Sequence, residues 1–304
     1  MRLALSLGVV VGVLVSATAA LAAQPGFAFL EVPTGARATA LGGAYSSLAG
    51  GVEAVYWNPA RLTSSKGFEI TGGHSELFQK LRHDYFAVGG QLFGGGIATS
   101  IRALYSEPID ERDDEGNLVG SFGSHDLELG LSYGHAVAAG VSLGGSAAIV
   151  RERISNLAAM TYSFGVGGAW EPAQVPGVRF SAAGQNLGPA AKYTIDGVEG
   201  QPVPLPAAFQ SGVSYQRMVG ARFHALGALE GRAVRGRDIL GLMGAELGDA
   251  SGAALRLGLR VNDTSTSVSF GAGYTLPGFS LDYAFVPLRD DLGDTHRFGF
   301  NAHF

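Results

Sequence analysis

The stretch DLELGLSY, Asp126 to Tyr133, sets Leu127, Leu129, Leu131 and Tyr133 on one face of an extended chain and Asp126, Glu128, Gly130 and Ser132 on the other. The pattern recurs. LRLGLRV opposes Leu255, Leu257, Leu259 and Val261 to Arg256, Gly258 and Arg260, while SVSFGAGY aligns Val268, Phe270, Ala272 and Tyr274, and FSLDYAF aligns Phe279, Leu281, Tyr283 and Phe285. A period of two belongs to strands, because a helix would scatter these residues around its axis. Segments of about ten residues, apolar on one face and charged or very small on the other, are the signature of a transmembrane barrel. The competing reading is a large soluble β-sandwich, whose apolar faces would need a shared protein core.

Composition separates the two readings. The 304 residues include 47 glycines and only 15% charged residues, with 46% hydrophobic, whereas soluble proteins average about 25% charged and about 7% Gly. Low charge with high glycine suggests a membrane protein that does not cross by helices. The longest uncharged run past the N-terminus, Leu129 to Val150, contains Gly130, Gly134, Gly140, Gly144 and Gly145, each costing a helix about 1 kcal/mol relative to Ala. Two strands with a turn at Ala138 to Gly140 fit it better. A formal net charge of −5 argues against a nucleic-acid partner.

The N-terminus carries Arg2, an apolar run from Leu3 to Val15 and the small-residue site Ala20-Leu21-Ala22, the layout of a secretory signal peptide cut after Ala22 or Ala23. The apolar run is shorter than the ~20 residues of a spanning helix. No cysteine is present, so neither a lipid-modified cysteine nor a disulfide framework is expected. The expected organisation is a cleaved signal peptide over 1–23, an N-terminal hatch over 24–65 and a transmembrane β-barrel over 66–304.

Fourteen strands are expected, near residues 66–74, 83–92, 96–105, 124–134, 140–151, 158–170, 177–186, 207–217, 221–231, 237–248, 253–261, 266–275, 278–286 and 295–304. An even count suits a single-chain antiparallel barrel, and long connections after odd strands with short ones after even strands suit long outer loops and short periplasmic turns. The final strand, THRFGFNAHF, aligns Phe298, Phe300, Ala302 and Phe304 against Arg297, Gly299, Asn301 and His303. In a closed barrel this strand pairs with the first and its aromatic face meets lipid. Phe298, Phe300 and Phe304 resemble the terminal signal of barrels that the barrel-assembly machinery inserts, which implies a bacterial outer-membrane location with lipid and that machinery as partners.

Ahead of the first strand lies GARATALGGAYSSLAGGVEAVYWNPARL, Gly35 to Leu62. Ala36, Ala40, Leu41, Ala44, Tyr45 and Leu48 fall near helical spacing; Gly42 and Gly43 would weaken such a helix, so close packing against another backbone is the expected reason for them. Trp57, Asn58, Pro59 and Ala60 mark a turn, with Asn58 capping it and Trp57 wedged against the barrel wall. With Gly35 and Arg37, these residues form the expected gating hatch, plugging the periplasmic half of a barrel too wide to be filled by its own side chains. Glu128, Arg256, Arg260, Asp282 and Arg297 are expected to line a wet lumen, in which a charge at inward Gly258 would cost less than one at outward Leu257.

None of the seven histidines is paired at a ligand spacing, and no nucleophile elbow or phosphate loop is present, so no catalytic residue, metal or cofactor is expected. The acidic run Glu107, Asp110, Glu111, Asp113, Asp114 and Glu115 reads as a solvated outer loop rather than a calcium site.

FLEVPTGARATALGGAYSSLAGGVEAVYWNPARL, followed in order by QNLGP (185–189), PLP (204–206), GAEL (244–247), LRLGLR, SFGAGY, LDYAF and THRFGF, resembles the PorV/PorQ family of outer-membrane barrels over nearly the whole chain. The Gly-Ala start and the Asn-Pro-Ala at Asn58 to Ala60 are also similar to the hatch of FadL-type transporters of hydrophobic compounds. The resemblance implies a fourteen-strand FadL-like barrel with its hatch and C-terminus on the periplasmic side. It further implies a role in type IX secretion, in which the barrel recruits or shuttles secreted cargo proteins or anchors attachment-complex proteins. The alternative function is a FadL-like channel for small hydrophobic molecules. The inward charges serve either; the outer loops, 106–123 and 187–206, would carry cargo recognition.

Overall fold

The computed structural model describes residues 24–195, 197–290 and 292–304. The segment read as a signal peptide lies outside the described residues. Eighteen strands follow in chain order: β1 Phe68–Glu76, β2 Leu81–Leu92, β3 Gly95–Ser106, β4 Ile109–Arg112, β5 Leu118–Phe122, β6 His125–Ala138, β7 Val141–Ile154, β8 Leu157–Trp170, β9 Val178–Leu187, β10 Ala191–Ile195, β11 Val198–Val203, β12 Ala208–Val219, β13 Phe223–Val234, β14 Leu240–Asp249, β15 Ala253–Val261, β16 Val268–Leu276, β17 Phe279–Pro287 and β18 Asp294–His303. Fourteen of them form a closed antiparallel ring in the order β1, β2, β3, β6, β7, β8, β9, β12 and on to β18, which pairs back onto β1 through Gly73 opposite Gly299. The other four are two hairpins, β4–β5 and β10–β11, built inside the two longest loops.

The polarity of this ring is the reverse of a soluble sheet's. Leu131, Leu255 and Phe298 are 56%, 69% and 55% exposed on the outside, while Ser132, Arg256, Asp282 and Arg297 are buried within. Water would not tolerate such an outer face, and hydrocarbon would not tolerate open strand edges; closure of β1 on β18 removes the edges. At that closure Phe304 donates its backbone N–H to the Phe68 carbonyl at 2.9 Å, and the two rings lie 6.1 Å apart.

Two details differ from the sequence reading. β1 begins at Phe68 rather than residue 66, because Gly67, at φ 77°, faces the Phe304 carbonyl where any Cβ would collide. The loop-length alternation has two exceptions: β7 and β8 are joined by only Ser155 and Asn156 at the long-loop end, and β8 and β9 by seven residues, 171–177, at the opposite end.

The N-terminal segment threads the lumen. At the long-loop end Gly26 donates to the Pro204 carbonyl at 3.1 Å and Glu31 pairs with Arg237. The chain then descends through two short helices, α1 Ala36–Ala40 and α2 Ala54–Trp57, and leaves at the turn end, where Gln91 donates to the Ser65 carbonyl at 3.0 Å. The first eleven described residues therefore occupy the long-loop half, and only the portion beyond them fills the turn half. Helical spacing from Ala36 to Leu48 yields only the five residues of α1, because Gly42 and Gly43 turn at φ 69° and 82°.

Candidate functional site

The hatch seats its backbone on bare patches of the wall. A Cβ on Gly244 would lie 2.8 Å from the Leu41 carbonyl oxygen, one on Gly258 would lie 2.6 Å from Gly42 Cα, and Gly96, Gly134, Gly144 and Gly167 similarly face Leu62, Pro59, Ala60 and Asn58. Part of the chain's excess glycine thus has one physical cause: inward strand positions without side chains admit a second layer of backbone. A Cβ on Gly42 would lie 3.0 Å from the backbone of Leu259 and Met243, the close approach that its place in an otherwise helical run implies. Gly258 is not the tolerant lumen position expected, since the hatch, not water, lies against it.

Polar contacts fix the hatch in register. Ser46 and Ser47 each direct a backbone N–H and a hydroxyl onto the Glu230 carboxylate at 2.8 to 3.1 Å. Arg37 forks onto Glu246 with two bonds of 2.9 Å; Arg256 adds a 2.6 Å bond to the same carboxylate and a 2.7 Å bond to Asp282. Such a fork fixes direction as well as charge. Arg260 donates to the Gly42 carbonyl at 3.0 Å and pairs with Asp263, and Arg297 donates to the Pro33 carbonyl at 2.8 Å. Glu128 pairs with Arg102, whose guanidinium also lies 4.8 Å from the Tyr56 ring and reaches the Leu30 carbonyl. Of the five charged positions expected to line the lumen, Arg260 and Arg297 bond the threaded segment, Arg256 and Asp282 bond each other, and Glu128 bonds the wall residue Arg102. Arg256, Asp282 and Arg297 are buried, and about forty residues of hatch share the lumen with them.

Within the hatch, Gly35 precedes α1 at φ 82°, and Ala36 packs beside Gly299 of β18. Trp57 is buried, with ring centroids 5.7 Å from Tyr45 and 4.9 Å from Tyr56, and its indole N–H donates to the Thr34 carbonyl at 3.3 Å. Rather than being wedged on the wall alone, it is clasped by aromatic neighbours of its own segment. Asn58 accepts from the Ala60 N–H at 3.1 Å and donates to the Gly168 carbonyl of β8 at 3.1 Å, so one side chain both caps the turn at Pro59 and Ala60 and ties it to the wall. Glu53 accepts from the Tyr45 hydroxyl at 2.7 Å.

Glu230, Glu246, Arg102, Gln210, Ser46 and Ser47 were missed by the sequence reading. The signal for the two glutamates was present, since LEGRAV and GAELGD place them at inward parity on β13 and β14. His125 and His303 both sit at strand ends and are exposed. Phe298 and Phe304 face outward, with Phe300 half-buried between them.

Two cavities flank the hatch. One, of about 560 Å³ at the long-loop end, is walled by Phe29, Tyr56, Trp57, Leu240 and Leu242 among others, with Gly42 and Gly43 in its floor. The second, of about 540 Å³ at the turn end, is polar and lined by Arg37, His224, Glu246, Arg256 and Asp282. Arg37 of α1 borders the second cavity and the Gly42–Gly43 turn borders the first. The wall ladder also slips once at mid-height: Phe164 faces Leu187 but Val166 faces Gly184, with Asn186 at φ 55°.

No protein-family model matches the sequence, and no curated protein matches it. Solved structures do match the fold. The toluene transporter TbuX of Ralstonia pickettii superposes with a TM-score of 0.61 at 14% identity, over 89% of this chain and 98% of that one. The monoaromatic hydrocarbon channel CymD gives 0.62 at 14% identity, over 90% and 98%. A FadL homologue from Pseudomonas aeruginosa gives 0.52 at 12% identity, over 89% and 98%. The chain has the FadL-type barrel fold, and the first two of these neighbours are named as a transporter and a channel.

Proposed function

We propose that this protein is a hatch-gated channel of the bacterial outer membrane for small hydrophobic molecules. The observation that carries it is the long-loop cavity of about 560 Å³, walled largely by apolar and aromatic residues and floored by the hatch. Ligand sites have this concave, mostly apolar character with a few placed polar groups. Neighbours described as a toluene transporter and a monoaromatic hydrocarbon channel support it. In this reading the long loops face outward, and the hatch exit and Phe304 face the periplasm. The barrel-assembly machinery inserts the chain through its aromatic end, after removal of residues 1–23.

The cargo-handling role implied by the PorV/PorQ resemblance is the second reading, and the fold comparisons favour the channel over it. One observation speaks for it: the β4–β5 and β10–β11 hairpins expose Leu118, Val119 and Val198 at 61%, 59% and 71%, a surface that secreted or attachment proteins could use. The two readings part in one experiment. Deleting 35–62 should change uptake of hydrophobic solutes by whole cells if the protein is a channel, with surface partners unaffected. Loss of captured secreted proteins on trimming the two hairpins, with solute uptake unchanged in both variants, would favour cargo handling.

A further inference from the structure

The outer wall carries two cations without a protein counter-ion. On β7, Arg151 and Arg153 flank the inward Glu152, so both side chains leave on the outer face, and both residues are exposed. Arg151 stands opposite Leu127 of β6 and Met160 of β8, and Arg153 opposite Ala158. His125 of β6 joins them on that face, between the Leu127–Arg151 pair and the Ser124–Ile154 bridge. Arg153 donates through Nε to the Ser155 carbonyl at 3.2 Å; Arg151 has no acceptor, and neither has an ion-pair partner, among the described residues. No outward position of β3, β6, β7 or β8 is acidic, and Asp126 and Glu152 of the same layer are buried on the lumen side. Elsewhere on this rim Lys80 and Arg82 pair with Glu107, and Asp84 bonds His74 and Tyr105.

Depth identifies the occupant. On β8 the outward residues Met160, Tyr162, Phe164, Val166 and Trp170 are all exposed. The steps from Met160 to Trp170, each about 3.3 Å along a strand tilted about 40°, rise about 25 Å, the height of the apolar band of a transmembrane barrel. Arg151, opposite Met160, therefore stands at the edge of the hydrocarbon, and Arg153 about 5 Å beyond it, at headgroup depth. An anion held at that depth against an apolar wall is the headgroup of a lipid. A guanidinium matches phosphate oxygens with its fork of donors. Rooted about 7 Å apart on one strand face, two of them can converge on a single phosphate, and they suit a phosphomonoester, which carries about −1.5 to −2 charges at neutral pH, better than a singly charged diester. We propose that Arg151 and Arg153, with His125 beside them, form a site on the outer wall for a membrane lipid bearing a phosphomonoester. Its chains lie along Ile149, Met160 and Tyr162. The site is independent of what the lumen passes.

The test uses the full-length folded barrel in detergent, titrated with phosphatidic acid, phosphatidylglycerol or phosphatidylcholine of identical chains, with lipid adducts counted by native mass spectrometry. Phosphatidic acid should bind about tenfold tighter than phosphatidylglycerol, the scale of one charge-assisted hydrogen bond, and phosphatidylcholine weakest of the three. Arg151→Gln and Arg153→Gln should each reduce the preference for phosphatidic acid, and the double variant should abolish it. Arg217→Gln, exposed near the turn end of β12, removes the same charge elsewhere and should leave the preference unchanged. Heat-modifiable gel mobility verifies folding, and the wild-type ratio needs no variant at all. Equal binding of phosphatidic acid and phosphatidylglycerol overturns the phosphomonoester site. A preference that survives the double variant, or that falls equally in Arg217→Gln, overturns its placement on β7. If glycerol 3-phosphate binds as tightly as phosphatidic acid, the occupant is a soluble phosphate and the lipid assignment falls.

Discussion

Gly258 offers a clean perturbation of the hatch. It sits inward on β15 in ordinary extended backbone, so alanine there is conformationally free, yet a Cβ would collide with the Gly42 N–H and Ser269 Oγ and lie 2.6 Å from Gly42 Cα. Replacing glycine within a strand gains about 0.5 to 1 kcal/mol of backbone entropy, whereas forcing a methyl into a packed interface costs about 1 to 3 kcal/mol. The wall cannot yield, because β15 is bonded along its length to β14 and β16. The strain therefore falls on the hatch turn, and a net cost of about 1 to 2 kcal/mol would raise the undocked fraction about tenfold. Gly231→Ala is the control, since nothing lies within 4 Å of a Cβ there. Single-barrel conductance in a planar bilayer, with protease access to 24–65, reads the effect. Gly258→Ala should open more often and be cut faster than Gly231→Ala with its heat-modifiable mobility intact. Indistinguishable conductance and cleavage would refute the idea that backbone contact at Gly42 holds the hatch.

Other consequences can be checked independently. Leu257→Arg, outward at the middle of β15, should lower folding stability in vesicles by ~2 to 4 kcal/mol; an unchanged urea midpoint would mean that Leu257 does not face lipid. Glu246→Gln strips Arg37 and Arg256 of a shared carboxylate that is 3% exposed, a loss of ~3 to 5 kcal/mol by the measure of broken buried pairs, and hatch leakage should rise with it. Deleting Phe304 should slow insertion and leave chain in the periplasm; normal insertion kinetics would show that the aromatic end is not read. A cysteine at Asp113, half-buried in the β4–β5 loop, should react with an impermeant thiol reagent on whole cells while one at Pro277 stays silent, and the opposite pattern would invert the barrel.

The barrel was legible because its solvent is unusual. Lipid outside and hatch inside make each strand one-sided, so DLELGLSY and LRLGLRV state their faces without ambiguity. The β4–β5 and β10–β11 hairpins were not legible: IDER, LVGSF and VEGQPV border neither lipid nor lumen along their length, and no alternation is imposed on them. Gly42 could be read as a close contact, but its partners Leu259 and Met243 lie some two hundred positions away, and a single sequence has no term for that distance. The pairing of the inward charges was hidden for the same reason. Inward charge was visible at Arg256 and Asp282, while the partner that desolvates them, the fork from Arg37 onto Glu246, arises only when two remote segments fold together.

The course of the N-terminal segment changes the arithmetic of the membrane. Fourteen strands alone return a chain to the side from which it set out. The threaded stretch from Gln24, near the Pro204 and Arg237 loops, to Lys66, beside the end of β18, is one more traverse, made inside the lumen rather than in the wall. Gln24 and Phe304 therefore look out of opposite mouths. An epitope joined ahead of Gln24 would be displayed on one face of the bilayer, and an epitope joined after Phe304 on the other.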